Sequence, residues 1–93
     1  MSVEIRKEPT RYAAFLDGDE IGELAFSRLG DVVTALHTEV AESAEDQGVG
    51  STLARTFLDD IRSAGRRVVP LCPFVRGWLQ KHPDYADLVR SGA

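Results

Sequence analysis

Between Val32 and Ile61 the apolar residues change their spacing, and the change falls across a pair of glycines. Up to Val40 the run VVTALHTEV is apolar, rich in β-branched residues and unbroken by glycine or proline, which predicts a strand covered on both faces. The polar stretch AESAEDQG interrupts it. From Val49 onward, Leu53, Ala54, Phe57, Leu58 and Ile61 recur at intervals that put them on one face of a helix of about four turns. Gly65 is placed to end that helix. A strand, a short loop, Gly48 and Gly50, then an amphipathic helix: this order restricts the chain to folds that pack helix on sheet.

The flanking segments agree with that restriction. VEIRKE alternates loosely, and Tyr12, Phe15, Leu16, Ile21, Leu24 and Phe26 supply strand material on either side of an Asp17-Gly18 turn, the pattern of a β-hairpin. Beyond Gly65, Val68 to Leu71 reads as a short buried strand. Pro73 then opens a second helix whose Phe74 and Trp78 share one face and read as core, and His82-Pro83 stops it. YADLV adds a final turn. Three or four antiparallel strands, a helix, a strand and a helix make an α/β or α+β sandwich.

The 93 residues predict a single domain over 1–93, with 43% hydrophobic residues for one core and 28% charged. Fifteen acids against eleven bases give a formal charge of −4, and no run of five like charges occurs, so no nucleic-acid surface is expected. No signal peptide or transmembrane helix is expected either, because no long apolar segment exists. Cys72 is the one cysteine, so neither an internal disulfide nor a cysteine-rich zinc site is expected, and the cytoplasm is the default compartment. His37, His82 and Cys72 lack the spacing of metal ligands.

The glycine turn has two readings. Backbone N–H groups in the first turn of a helix lack intrahelical partners, and the helix dipole adds partial positive charge there. Gly48, Val49, Gly50 and Ser51 would then donate to phosphate oxygens, with the Ser51 hydroxyl adding a further bond. The plainer reading is a tight entry into a helix, since GVG carries no P-loop lysine and is not GxGxxG.

Spacing favours the first reading through a resemblance. Val40, Gly48, Val49, Gly50 and Leu53 match in register the acetyl-coenzyme A signature of the GNAT acetyltransferase superfamily: a strand ending in Val, a loop, then Arg or Gln-x-x-Gly-x-Gly or Ala opening a helix. The segment VVPLCPFVRGWLQKHPDY, with Pro70, Cys72, Phe74, His82, Pro83 and Tyr85, resembles the C-terminal signature of short GNAT-like proteins. The resemblance runs from about Glu4 to Val89. It implies a minimal GNAT fold: a mostly antiparallel sheet with splayed central strands and two to three packed helices. It also implies acetyl-coenzyme A as cosubstrate without a metal, and an amine acceptor, small molecule or protein. Neither nucleic acid nor membrane enters this picture, and a homodimer suits the small size.

By the same resemblance the pyrophosphate sits on Gly48 to Ser51 and the pantetheine arm runs beside Thr38 to Val40. Three features depart from the superfamily. Glu45 stands where a basic or amide residue opens the motif, which leaves Gln47 as the side-chain donor. Trp78 stands near the position where larger relatives carry a tyrosine acid, and indole cannot exchange a proton that way. The N-terminal helices that form much of the acceptor site in larger relatives are missing, which implies an open acceptor side, a bulky or macromolecular substrate, or completion by a second subunit.

Acyl transfer to an amine needs a base for the amine and a proton for the leaving thiolate. His37 and Glu39 should share one strand face, opposite Leu36, Thr38 and Val40, so either could serve as base. Cys72 ends a strand at the edge where open sheets bind ligands, and it precedes a helix N-terminus that would favour its thiolate. It matches a proposed active-site cysteine of the short family, as proton donor or acyl carrier. The bland alternatives are a half-covered histidine and an inert buried thiol. A coenzyme-binding or protein-interaction module without turnover remains a second reading, and a Cys72-dependent acyl hydrolase a third.

Overall fold

A computed structural model describes residues 3–90 of the chain. β1 (Glu4–Lys7), β2 (Arg11–Leu16), β3 (Asp19–Leu29) and β4 (Val32–Val40) are followed by a 3₁₀ segment at Glu42–Gln47 and then α1 (Val49–Ser63). β5 (Arg67–Pro70), α2 (Pro73–Lys81) and a second 3₁₀ segment at Pro83–Leu88 complete the order. The strands form one sheet in sequence order, antiparallel throughout except for the parallel β4–β5 pair. This is the mixed, mostly antiparallel α+β arrangement expected. Asp17 and Gly18 both take positive φ, 52° and 87°, as a two-residue type I′ hairpin requires.

α1 forms where its periodicity predicts, and its buried residues are Val49, Leu53, Ala54, Phe57, Leu58 and Ile61. That face packs on β2, β3 and β4, while α2 packs on β4, β5 and α1. Apart from Ala13, the buried side chains form one cluster between helices and sheet. No helix among the described residues is long and apolar enough to cross a membrane.

β4 differs from its expected burial. Only its first half alternates, with Val33 and Ala35 buried, and beyond Ala35 the strand has exposed residues at Leu36, His37 and Glu39. Ala25 pairs with His37 and Phe26 with Ala35, so Leu36 has no partner and forms a bulge. A bulge inserts one residue and reverses which way all later side chains point. Thr38 therefore pairs with the buried Leu24 on the helix side, and His37 and Glu39 move to the opposite face. Pairing with β3 sets this break, so the unbroken apolar composition of the run did not reveal it.

The opposite face is exposed and charged. Arg11 bridges Glu8 (2.9 Å), Glu20 (2.8 Å) and Glu23 (2.9 Å), and the far oxygen of Glu23 lies 3.1 Å from His37 Nε2. Hydrogen bonds from Arg11 hold the Glu20 and Glu23 carboxyls below their ordinary values. A carboxyl depressed in the folded state stabilises the fold above its unfolded pKa, about 4.3, and that contribution is lost as pH falls through the folded value. Arg11→Met should therefore lower Tm at neutral pH, and the deficit should shrink as pH falls through the depressed folded-state values of the two carboxyls. A deficit that persists unchanged into acid, read by thermal melts across pH, contradicts the linkage.

Candidate functional site

β4 and β5 pair in parallel only as far as Ala35 and Pro70. β5 then stops, Cys72 N donates to Ala35 O at 3.0 Å, and α2 begins at Pro73. Beyond that last bond β4 runs on to Val40 while the other chain turns into a helix. The two strands thus splay, and the part of β4 from Leu36 to Val40 has no strand partner on the β5 side.

The first turn of α1 faces this gap. Gly48 precedes it in the left-handed region, φ 70° and ψ 20°, where a side chain is strained, and no side chain caps the helix. The hydroxyl of Thr52 donates back to Gly48 O at 3.0 Å. β3 lies close beneath: a Cβ on Gly22 would meet Val49 Cγ1 at 3.1 Å and Glu39 O at 3.2 Å. Gly22 thus lets the first helical residue seat directly on the sheet.

Between β4, this turn and α2 lies a cavity of about 460 Å³ lined by Thr38, Val40, Glu45, Gly48, Gly50, Ser51 and Phe74. That size falls within the range of small-ligand sites. Ser51 Oγ accepts a hydrogen bond from Trp78 Nε1 at 2.8 Å, which fixes the hydroxyl and leaves its own proton to donate elsewhere. Trp78 is buried as expected, but Phe74 is 43% exposed and lies against Gly50. As the second residue of α2 it reaches across to α1, which four-residue spacing along its own helix does not disclose.

Of the residues singled out from the sequence, Thr38, Val40, Gly48, Gly50 and Ser51 meet in this cavity. The Val49 side chain is buried, so Val49 can offer only its backbone N–H there. Gln47 is exposed and lies outside the lining, whereas Glu45 lies within it. Cys72 is 1% exposed, and its sulfur lies 3.3 Å from Thr38 Oγ1. It reaches the cavity through Thr38 and is not itself part of the lining. His37 and Glu39 are on the other side of the sheet, with His37 beside Glu23.

The C-terminal residues are tied to one another. His82 Nδ1 donates to Trp78 O at 2.8 Å, and the imidazole stacks on the indole with centroids 3.7 Å apart. No hydrogen bond joins His82 to Cys72 among the described residues. Tyr85 donates to Asp59 at 2.8 Å, and that bond raises its phenol above the ordinary value. Phe74, Gly22 and the Trp78–Ser51 bond were missed by sequence reasoning. A glycine in a strand opposite a helix entry is the one signal that points to any of them.

This geometry has known counterparts. A GCN5-like protein from Staphylococcus aureus superposes with a TM-score of 0.75 at 20% identity, covering 97% of this chain and 90% of that one. The ribosomal-protein-S18-alanine N-acetyltransferase of Escherichia coli gives 0.63 at 16% identity, covering 70% of this chain and 43% of that one. The IAA acetyltransferase of Bacillus cereus gives 0.60 at 19%, covering 76% and 51%. At such identities these likenesses establish the fold, and the chain spans about half or less of the last two. No curated protein sequence matches it. The sequence profile of the GCN5-related N-acetyl-transferases matches residues 11–88, from β2 through both helices and every element that lines the cleft, and the chain belongs to that family.

Proposed function

We propose that the protein binds acetyl-coenzyme A in the cleft between β4 and α1 and transfers its acetyl group to an amine. The observation that carries this reading is the uncapped first turn of α1, which opens on a cavity beside an unpaired strand edge. Val49, Gly50 and Ser51 offer backbone N–H groups and the positive end of the helix dipole to a pyrophosphate. The Ser51 hydroxyl adds a donor. The free edge of β4 at Thr38–Val40 offers backbone groups to an amide-bearing arm, as a sheet edge does to an added strand. A Cβ at Gly50 would come 2.8 Å from Phe74 Cζ, so glycine is what keeps the turn approachable. Glu45 opposes an anion in the same cavity, which leaves its charge to backbone amides and Ser51.

Acetyl-coenzyme A supplies an acyl group activated as a thioester. Backbone N–H groups near the end of β4 polarise its carbonyl. The acceptor amine approaches from the open face, where His37 Nε2–H donates to the Glu23 carboxylate. That bond leaves Nδ1 of His37, across the sheet from the cleft, to take the proton of an amine that enters through the gap beyond the last β4–β5 pair. The new N–C bond forms as the C–S bond breaks, and the departing sulfur takes a proton from the Thr38 hydroxyl, replaced from Cys72. Cys72 is thus a positioning residue acting through Thr38. Cys72→Ser should keep turnover within about threefold, whereas Cys72→Ala should lose about tenfold, the worth of one hydrogen bond. A serine variant as weak as alanine would assign the chemistry to the thiol itself.

One observation favours a second reading, a coenzyme-binding module with little turnover: among the described residues, Glu45 is the only titratable side chain in the cavity lining. Product formation on a panel of amines and basic peptides separates the two. Steady acetylation supports the transferase, and tight binding without product on any amine supports the module.

A further inference from the structure

At the end of α1 away from the glycine turn, a second cavity of about 310 Å³ opens between β1, β3 and the last turns of the helix. It shares no lining residue with the cleft. Its floor is aromatic: Tyr12 lies 5.4 Å from Phe26 and 5.8 Å from Phe57, centroid to centroid. Three cations, Lys7, Arg28 and Arg66, face it with two carboxylates, Glu8 and Asp60, a local excess of one positive charge in a chain of net −4.

Both carboxylates are already engaged. Glu8 pairs with Arg11 at 2.9 Å, and Asp60 accepts the Tyr12 O–H and lies 3.8 Å from Lys7 Nζ. Burial and the neighbouring Asp60 hold the Tyr12 phenol above its ordinary value, so it stays a neutral donor. Arg66 is different. Its Nε is buried and has no hydrogen-bond partner among the described residues. A buried donor without an acceptor is costly and demands a partner.

The backbone fixes Arg66 in this position. Gly65, at φ 70°, closes α1 with Gly65 N bonded to Arg62 O (3.1 Å) and Arg66 N to Ile61 O (3.0 Å). In this Schellman ending, the residue after the glycine is often apolar and packs back on the helix. A guanidinium at that place breaks the local rule, and such breaks concentrate at functional positions.

We propose that this cavity binds a small carboxylate with an apolar body, its carboxylate on the terminal nitrogens of Arg66 and its hydrocarbon against the rim of Tyr12 and Phe26. A guanidinium fork matches a carboxylate with two parallel bonds. One net positive charge suits a monoanion better than a phosphate dianion, and the aromatic floor rewards an apolar body.

The test follows the arginine Nε–H resonances of the ¹⁵N-labelled full chain during titration with phenylacetate, 2-phenylethanol or inorganic phosphate. Phenylacetate should shift the Arg66 Nε–H saturably, and 2-phenylethanol should not. Arg66→Met should weaken the phenylacetate response at least about tenfold, the loss of a charge-assisted pair. If Arg66→Met does not fold by circular dichroism, Arg66→Lys, a cation without the fork, serves the same comparison. A response to phosphate alone overturns the proposed ligand class. No saturable response to phenylacetate, or one unchanged in the Arg66 variant, overturns the site.

Discussion

A Gly50→Val protein is expected to fold and to bind acetyl-coenzyme A on the order of 100-fold more weakly than wild type, roughly one to two charge-assisted hydrogen bonds. The new Cβ would meet the Phe74 ring at 2.8 Å at its tip and 3.3 Å at its edges. Phe74 is 43% exposed, so its ring can swing aside without opening the core. The valine methyls and the displaced ring then fill the space over the first turn of α1, and a phosphate can no longer approach the amides. Gly48 is a less informative target, because its φ of 70° makes any β-branched residue strain the turn itself. Calorimetry paired with circular dichroism checks the prediction. A folded variant with wild-type affinity contradicts the placement of the ligand on this turn.

The largest stability effect is expected at Phe57. Its side chain is 1% exposed and packs edge-on against Tyr12 at 5.8 Å and against Phe26 at 5.7 Å. Removing the ring leaves a cavity at the centre of the sheet–helix interface, and Phe57→Ala should cost about 3–5 kcal/mol. Domains of this kind hold only about 5–15 kcal/mol in total. At about 4–8 °C per kcal/mol, Tm should fall by roughly 12 °C or more. Phe57→Leu, closer in volume, should lose much less. Denaturant unfolding gives both values, and a loss below about 1 kcal/mol for alanine would mean that this helix face carries little of the core.

How much of this was legible depended on whether the cause was local. The six buried residues of α1 are those named by periodicity alone, because a helix face is written at fixed spacing. The Asp17-Gly18 turn was legible for a similar reason, since few residues tolerate two positive φ angles in succession. β4 has its expected bounds, but the Leu36 bulge comes from pairing with Ala25 and Phe26 in β3, and no residue of β4 announces it. The bulge matters because it turns Thr38 and Val40 into the cleft and keeps His37 out of it. The lining residues from Thr38 to Ser51 were accessible through a motif, whereas Phe74 and the Trp78–Ser51 bond arise where α2 meets α1 and needed the fold.

The most direct test is a calorimetric titration of the purified chain with acetyl-coenzyme A, beside dephospho-coenzyme A and an analogue truncated before the pyrophosphate. Binding in the micromolar range, about −8 kcal/mol, is predicted for the whole coenzyme, with most of it lost when the pyrophosphate is removed. Equal affinity for the truncated analogue, or no binding of acetyl-coenzyme A by folded protein, would return Gly48 and Gly50 to a plain helix entry and contradict the account.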